Sequence, residues 1–239
     1  MRQSTRGTLI TGTDTGIGKT MISRAVAAAL GRRGLSVGVY KPAETGCEHV
    51  DGEFVGSDCT LLAAAAGAKQ TPAEVASYLF AMPAAPLVAA EAVGEKLEPL
   101  KIGQDYQALR ARFDPVLVEG AGGLFVPIAE RFTYLDLARQ LELDIVVVVG
   151  SRLGCINHAL LTFAAIREAG LRMRGYIINS LEPVAVDDPI TPESNRKTIS
   201  RFTDENDIGL FPHVAGGDGI DHETLAGLAE KHLDLDVFV

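Results

Sequence analysis

The chain has 239 residues, 47% of them hydrophobic, and a formal net charge of −9. That length suits one α/β domain over residues 1–239 with a substantial core, and no apolar run approaches the ~18 to 20 residues of a membrane span. The acidic balance, with no basic cluster, disfavours nucleic acid as a partner. Three cysteines, Cys47, Cys59 and Cys155, lack metal-ligand spacing, so reduced thiols and a cytoplasmic location are expected. The opening Met1 to Gly7 leads straight into the first apolar run, leaving no room for a signal peptide.

Thr8-Leu9-Ile10 reads as the first strand, and Met21 to Leu30 reads as a helix. Between them lies Gly12-Thr13-Asp14-Thr15-Gly16-Ile17-Gly18-Lys19-Thr20. Strand, glycine-containing loop, Lys-Thr and helix together form a phosphate-binding loop. Gly16 and Gly18 let backbone N–H groups face an anion, and the helix start adds unpaired donors and the positive end of its dipole. Lys19 would reach the outer phosphates and Thr20 would ligate Mg²⁺. The strict pattern has glycine at the position of Thr13, and here Gly12 sits one residue earlier. A dinucleotide fingerprint fails at Met21, where it needs a third glycine. The loop therefore implies a nucleoside triphosphate.

Further along, Ser36 to Lys41 reads as strand two, Val116 to Val118 as three, Asp144 to Val149 as four, Gly175 to Asn179 as five and Ile208 to Phe211 as six. The unbroken Ile145 to Val149 run fits a central parallel strand covered on both faces. Helices are expected over Tyr134 to Leu141, His158 to Ala169 and Glu193 to Thr203. The fold class is therefore α/β: a doubly wound, mostly parallel sheet of the P-loop NTPase type, with ligands at the carboxyl ends of the strands. Some seventy residues separate strands two and three; they must carry their own helices, including Thr60 to Ala68 and Tyr106 to Phe113. Leu181 to Pro192, with three prolines, reads as a surface loop.

Polar residues just past a parallel strand stand at the mouth of the sheet. Strand two delivers Lys41-Pro42-Ala43-Glu44-Thr45, where Lys41 is either a site residue or a solvated surface lysine. Strand three delivers Glu119-Gly120-Ala121-Gly122, a carboxylate placed to hold Mg²⁺ beside small residues that allow close backbone approach. Asp58, after Gly56-Ser57, reads as a helix cap on its own and as a second metal ligand in company with the phosphate loop.

These segments in order, with Leu153-Gly154-Cys155-Ile156-Asn157-His158, resemble the dethiobiotin synthetase family from about residue 8 to Pro212. The resemblance implies a cytoplasmic, ATP-dependent cyclo-ligase of biotin biosynthesis. In that family 7,8-diaminononanoate takes up CO₂ as a carbamate, ATP phosphorylates it, and the second amine closes the ureido ring with loss of phosphate. By the same resemblance Lys41 and Lys19 flank the transferring phosphoryl group, and Thr20, Asp58 and Glu119 hold Mg²⁺. Nucleotide contacts would come from Thr13, Asp14, Thr15, Gly16, Ile17, Gly18, Lys19, Thr20 and Met21. Glu119, Gly120, Ala121 and Gly122 would join them, with Asn179, Ser180, Pro212, His213 and Val214 around the base. The substrate would meet Thr15, Lys41, Thr45 and Gly122, and its carboxylate tail would meet Gly154, Cys155, Ile156 and Asn157 across a homodimer interface.

The chain departs from the family pattern at several places. Gly16 stands where some members carry glutamate, Thr45 replaces serine, Arg152 replaces lysine, and His213 sits where an aromatic ring can cover the base. Glu44 has no assignment. Cys155 reads as a small packed residue rather than a nucleophile, and His158 as a capping or interface residue. The alternative function is a switch-type partitioning or regulatory ATPase of the same fold. Such proteins carry a further signature lysine where this chain has Asp14, and commonly a basic or membrane-targeting surface. A corrin-type amide ligase would bring a glutamine-hydrolysing domain for which 239 residues leave no room. A non-catalytic binding module leaves Lys41 and Glu119 unexplained.

Overall fold

The computed structural model describes residues 7–50, 53–67, 69–183 and 191–239. Met1 to Arg6 and most of the Leu181 to Pro192 loop lie outside the described residues. Six parallel strands form one sheet: β1 (Thr8–Gly12), β2 (Gly38–Tyr40), β3 (Val116–Gly123), β4 (Asp144–Ser151), β5 (Met173–Ser180) and β6 (Asp207–Phe211). Their spatial order is β6-β5-β4-β1-β3-β2, with all neighbours parallel. These are the six strands expected from the apolar runs. Val146 and Val148 point to one face and Ile145, Val147 and Val149 to the other, all fully buried, which explains the unbroken run.

Helices cover both faces. One is covered by α1 (Lys19–Arg32), α2 (Ser57–Ala65) and the short α3 (Pro72–Val75). The other carries α4 (Pro86–Ala92), α5 (Pro99–Arg110), α6 (Tyr134–Gln140), α7 (Cys155–Glu168) and α8 (Pro192–Ser200). A further helix, α9 (His222–His232), returns to the first face against α1. It begins at Asp221, whose carboxylate accepts the Thr224 N–H at 2.8 Å, and buries Leu225, Ala226 and Ala229. Squeezed between the sheet, α2 and α9, α1 is buried continuously from Ile22 to Leu30, which accounts for its alanines.

The long connection between β2 and β3 carries α2 to α5, as its length demanded, and two ribbons as well. Ala43–Thr45 pairs in parallel with Tyr78–Phe80, and Glu48–Val50 pairs antiparallel with Glu53–Val55. Some element bounds differ from expectation. β2 starts at Gly38 because Ser36 bridges Asp114 instead, and it stops before Lys41, whose N–H turns to the Val75 carbonyl at 2.8 Å. α5 starts at Pro99, seven residues ahead of Tyr106, with Ile102, Tyr106 and Leu109 as its buried stripe. α8 ends at Ser200 rather than Thr203.

The connection from β1 runs toward β2 by way of α1, and that from β4 toward β5 by way of α7 on the opposite face. Neighbouring strands that send their chains in opposite directions open a crevice at their carboxyl ends, a topological switch point. The glycine-containing loop lies there.

Candidate active site

The loop from Gly12 to Lys19 is fastened by Thr13 N–H to the Val148 carbonyl, 3.0 Å, so β4 helps to hold what β1 launches. Gly18 caps α1 in a left-handed conformation, φ 82°, which any Cβ would strain. Its bare Cα also admits the Asn179 side chain from the end of β5, whose amide donates to the Ile17 carbonyl at 2.8 Å. Gly12 explains the displaced glycine of the loop. A Cβ there would stand 2.7 Å from Ile17 Cδ1 and 3.1 Å from the Lys19 stem, so the loop folds back over it.

Beside the loop is a cavity of about 370 Å³ in which charges converge. Lys41, on the segment following β2, is 6% exposed and forms ion pairs with Asp58 and with Glu119, the latter at 2.8 Å. The same Glu119 Oε1 accepts the Thr20 hydroxyl at 2.9 Å. Glu119 Oε2 is buried with no hydrogen-bond partner among the described residues. An orphaned carboxylate oxygen is costly unless a cation or donor meets it. Thr20, Asp58 and Glu119 line this one cavity with hard oxygen donors, the type that suits Mg²⁺.

The two lysines respond oppositely to the same surroundings. Burial lowers Lys19 to about 8, with Lys41 repelling its charge and Glu119 attracting it; its Nζ donates to the Asp14 carbonyl at 2.9 Å. Burial also works against the Lys41 charge, but Glu119 and Asp58, by attraction and hydrogen bonding, outweigh it and raise the ammonium well above its ordinary value. Lys41 is therefore a permanent cation and Lys19 a titrating one.

A second cavity of about 420 Å³ continues past Gly16, Gly18 and Met21. Asn179, Ser180, Pro212, His213 and Val214 line it, and His213 Nδ1 lies 3.0 Å from the Leu181 carbonyl. Thr15, Thr45, Gly120, Ala121 and Gly122 line the first cavity with the charged groups. Not every expected residue reaches either space. The Ile17 side chain packs into the core, and Asp14 turns its carboxylate to Arg152. Gly154 to Asn157 line neither cavity: they open α7, with Cys155 buried and Asn157 exposed. Burial raises the Cys155 thiol, consistent with a packed residue rather than a nucleophile. His158 does not cap α7, because Gly154 holds that position.

One assignment needs correction. Asp58 is not the cap of α2; the N-cap is Gly56, and Asp58 lies in the first turn. The capping oxygens come instead from Glu44, buried, which accepts the N–H groups of Asp58 and Cys59, each at 2.9 Å. Two other site residues escaped the sequence. Asp218 lines the first cavity, and Arg24, on α1 and 1% exposed, donates to the carbonyls of Asp218 at 3.2 Å and Ile220 at 2.7 Å. An arginine inside an alanine-rich, otherwise buried helix was the available signal.

The family model described as an AAA domain matches residues 6–218. Curated relatives are similar over most of the chain. The ATP-dependent dethiobiotin synthetase BioD of Aromatoleum aromaticum is 39% identical over 213 residues, 89% of this chain and 93% of its own. That of Anaeromyxobacter dehalogenans is 40% identical, covering 87% and 90%. That of Xanthomonas oryzae pv. oryzae is 44% identical, covering 73% and 78%. Among solved structures, a ParA family ATPase from Chlorobium tepidum superimposes with a TM-score of 0.55 at 13% identity, over 96% of this chain and 93% of that one. The cell division ATPase MinD of Pyrococcus furiosus gives 0.54 at 18% identity, over 95% and 99%. At such identities the structural likeness is one of fold alone. Among the described residues no helix is long and apolar enough to cross a membrane.

Proposed function

The chain belongs to the family of ATP-dependent dethiobiotin synthetases, and from that membership we propose that it closes the ureido ring of dethiobiotin in biotin biosynthesis. The substrates are 7,8-diaminononanoate, CO₂ and ATP. One amine adds to CO₂ and loses a proton, giving a carbamate. A carbamate oxygen then takes the γ-phosphoryl group and ADP leaves. The second amine attacks the carbonyl carbon of this carbamic-phosphoric anhydride, and phosphate departs as the ring closes.

The observation that carries this reading is the cluster of buried Lys41 and Glu119 with half-buried Asp58 and Thr20 beside the phosphate loop. A carbamate oxygen is a weak nucleophile, so positioning and charge neutralisation must supply most of the help. Lys41, always charged, and Lys19 would flank the transferring phosphoryl group, as the catalytic residues. Thr15 and Thr45 would hold the reacting end of the diamino acid, and Gly120 to Gly122 would let it approach the backbone. Thr20, Asp58 and Glu119 would hold Mg²⁺, which neutralises charge on the phosphates when bound. Asn179 spends its amide N–H on Ile17, leaving its oxygen to accept from an adenine amine, with Pro212 to Val214 along the base.

The whole chain is read as one domain acting in the cytoplasm as a homodimer. Gly154 to Asn157 lie away from the cavity, which supports their serving a neighbour's substrate tail across a two-fold axis. A monomer with full activity in sedimentation would remove that part. The switch-ATPase alternative shares only the fold with this chain. Incubation with ATP, Mg²⁺, bicarbonate and diaminononanoate should yield dethiobiotin by mass spectrometry, with phosphate release requiring both co-substrates. Phosphate release driven instead by DNA or lipid would overturn the proposal.

A further inference from the structure

Glu44 lies three residues beyond Lys41 in the short strand Ala43–Thr45, and it is 3% exposed. Its partners are backbone groups fourteen and fifteen residues on: Oε1 accepts the Asp58 N–H and Oε2 the Cys59 N–H, both at 2.9 Å. Those are first-turn donors of α2, which have no intrahelical acceptor. The helix has no side-chain cap of its own, since Gly56 occupies the N-cap position. Gly56 is also what gives the carboxylate room, for a Cβ there would collide with both Glu44 oxygens. An ionised carboxylate against two N–H groups at the positive end of a helix makes charge-assisted bonds, stronger than those of a neutral cap.

The consequence falls on Asp58. The main chain of Asp58 is held by Glu44 while its side chain meets Lys41, so the segment 41–45 grips the first turn of α2 at two points. Glu44 itself does not line the cavity. We infer that Glu44 is a positioning residue that fixes the Asp58 carboxylate for Mg²⁺·nucleotide binding. The inference rests on the proposed role of Asp58 as a ligand. Groups that orient metal ligands from behind commonly change metal affinity by about ten- to a hundredfold when replaced.

The test is binding, not turnover. Affinity for a fluorescent ATP analogue is measured with Mg²⁺ and in chelator for wild type, Glu44→Gln, Glu44→Ala, Asp58→Asn and Thr60→Val. Thr60 is the control: its hydroxyl donates to the Gly56 carbonyl at 2.9 Å at the same helix start, on the exposed side. In Glu44→Gln, which keeps the volume, the gain in affinity that Mg²⁺ confers should shrink about tenfold or more, as in Asp58→Asn. Metal-free affinity should stay within about twofold, and Thr60→Val should keep the full Mg²⁺ gain even where it lowers the melting temperature. If Glu44→Ala does not fold, Glu44→Gln decides alone. An undiminished Mg²⁺ gain in Glu44→Gln beside a diminished one in Asp58→Asn overturns the positioning role and leaves the metal reading standing. An equal loss with and without Mg²⁺, or in Thr60→Val as well, reduces Glu44 to a stability residue. Were Asp58→Asn itself without effect, the metal reading would fall and this inference with it.

Discussion

In the phosphate cavity the charged side chains answer one another: Lys41 meets Asp58 and Glu119, Thr20 meets Glu119, and Lys19 is tied to the Asp14 carbonyl. Across Gly18 the base cavity is built otherwise. Its far wall, Val214 to Gly217, is half-buried to exposed backbone, and Asn179 and His213 spend hydrogen bonds on the carbonyls of Ile17 and Leu181. One region is fixed by buried charge and the other is shaped by chain path. Changes in the first should strike the chemical step, and changes in the second should strike nucleotide affinity and leave the chemistry nearly intact.

The largest effect should come from Lys41→Gln. Loss of a fixed cation at a point of developing charge typically costs about two to three powers of ten in rate. The variant should fold, but less stably, because Glu119 is left buried without its counter-ion. Single-turnover kinetics on the purified variant, with circular dichroism as the check on folding, measure this. Near wild-type turnover would reduce Lys41 to a structural counter-ion of Glu119 and Asp58 and dissolve the contrast between the two regions.

A smaller effect, graded with pH, separates the two lysines. Lys19 is charged below about 8 in the free protein and loses its proton above. An anionic phosphate binds the charged form, so above that pH binding requires proton uptake. Affinity should be flat from about pH 6.5 to 7.5 and then fall by up to roughly tenfold per unit as pH rises further. Lys41, raised by its carboxylates, stays charged throughout and adds no slope. Calorimetric titration of ADP between pH 6.5 and 9.5 would show it. An affinity flat to pH 9.5 would mean that Lys19 keeps its charge despite burial.

What the sequence disclosed follows the same division. Buried parallel strands must be apolar on both faces, so β1 and β4 announce themselves, and phosphate chemistry restricts residue type at fixed spacing, so Lys19, Thr20 and Glu119 stand out. By position alone Lys41 is visible only as a polar residue past an apolar run, and the family resemblance is what marks it. Glu44 was opaque because it bonds backbone N–H groups, which carry no sequence signature, in a helix start fourteen residues away. For the same reason a cap is what Asp58 suggests on its own, although Gly56 holds that position. α9 followed the last strand, past the end of the recognised pattern. Nothing local in Gly216 to Gly219 shows that Asp218 lines the phosphate cavity.

The smallest effect tests the loop that joins the two regions. Arg24 holds it from below by donating to the carbonyls of Asp218 and Ile220. Its Nε and Nη1 have no hydrogen-bond partner among the described residues, and its approach to the Asp218 carboxylate, 3.9 Å, is to a side chain 76% exposed. Such a pair gives little to stability, whereas the buried guanidinium is expensive to desolvate. Arg24→Met fills the space without the charge. The freed carbonyls belong to exposed or half-exposed residues, Asp218 and Ile220, so water can satisfy them. Stability should therefore change little, with the melting temperature within a few degrees of wild type. What is lost is the fixed path of the loop. If only a tenth to a third of molecules then hold the competent path, nucleotide affinity weakens about three- to tenfold. The chemical step, which we propose to depend on Lys41 and its partners, should keep its rate at saturating ATP. A parallel fall in the single-turnover rate would show that the loop shapes the reacting end as well, and that the two cavities form one energetic unit.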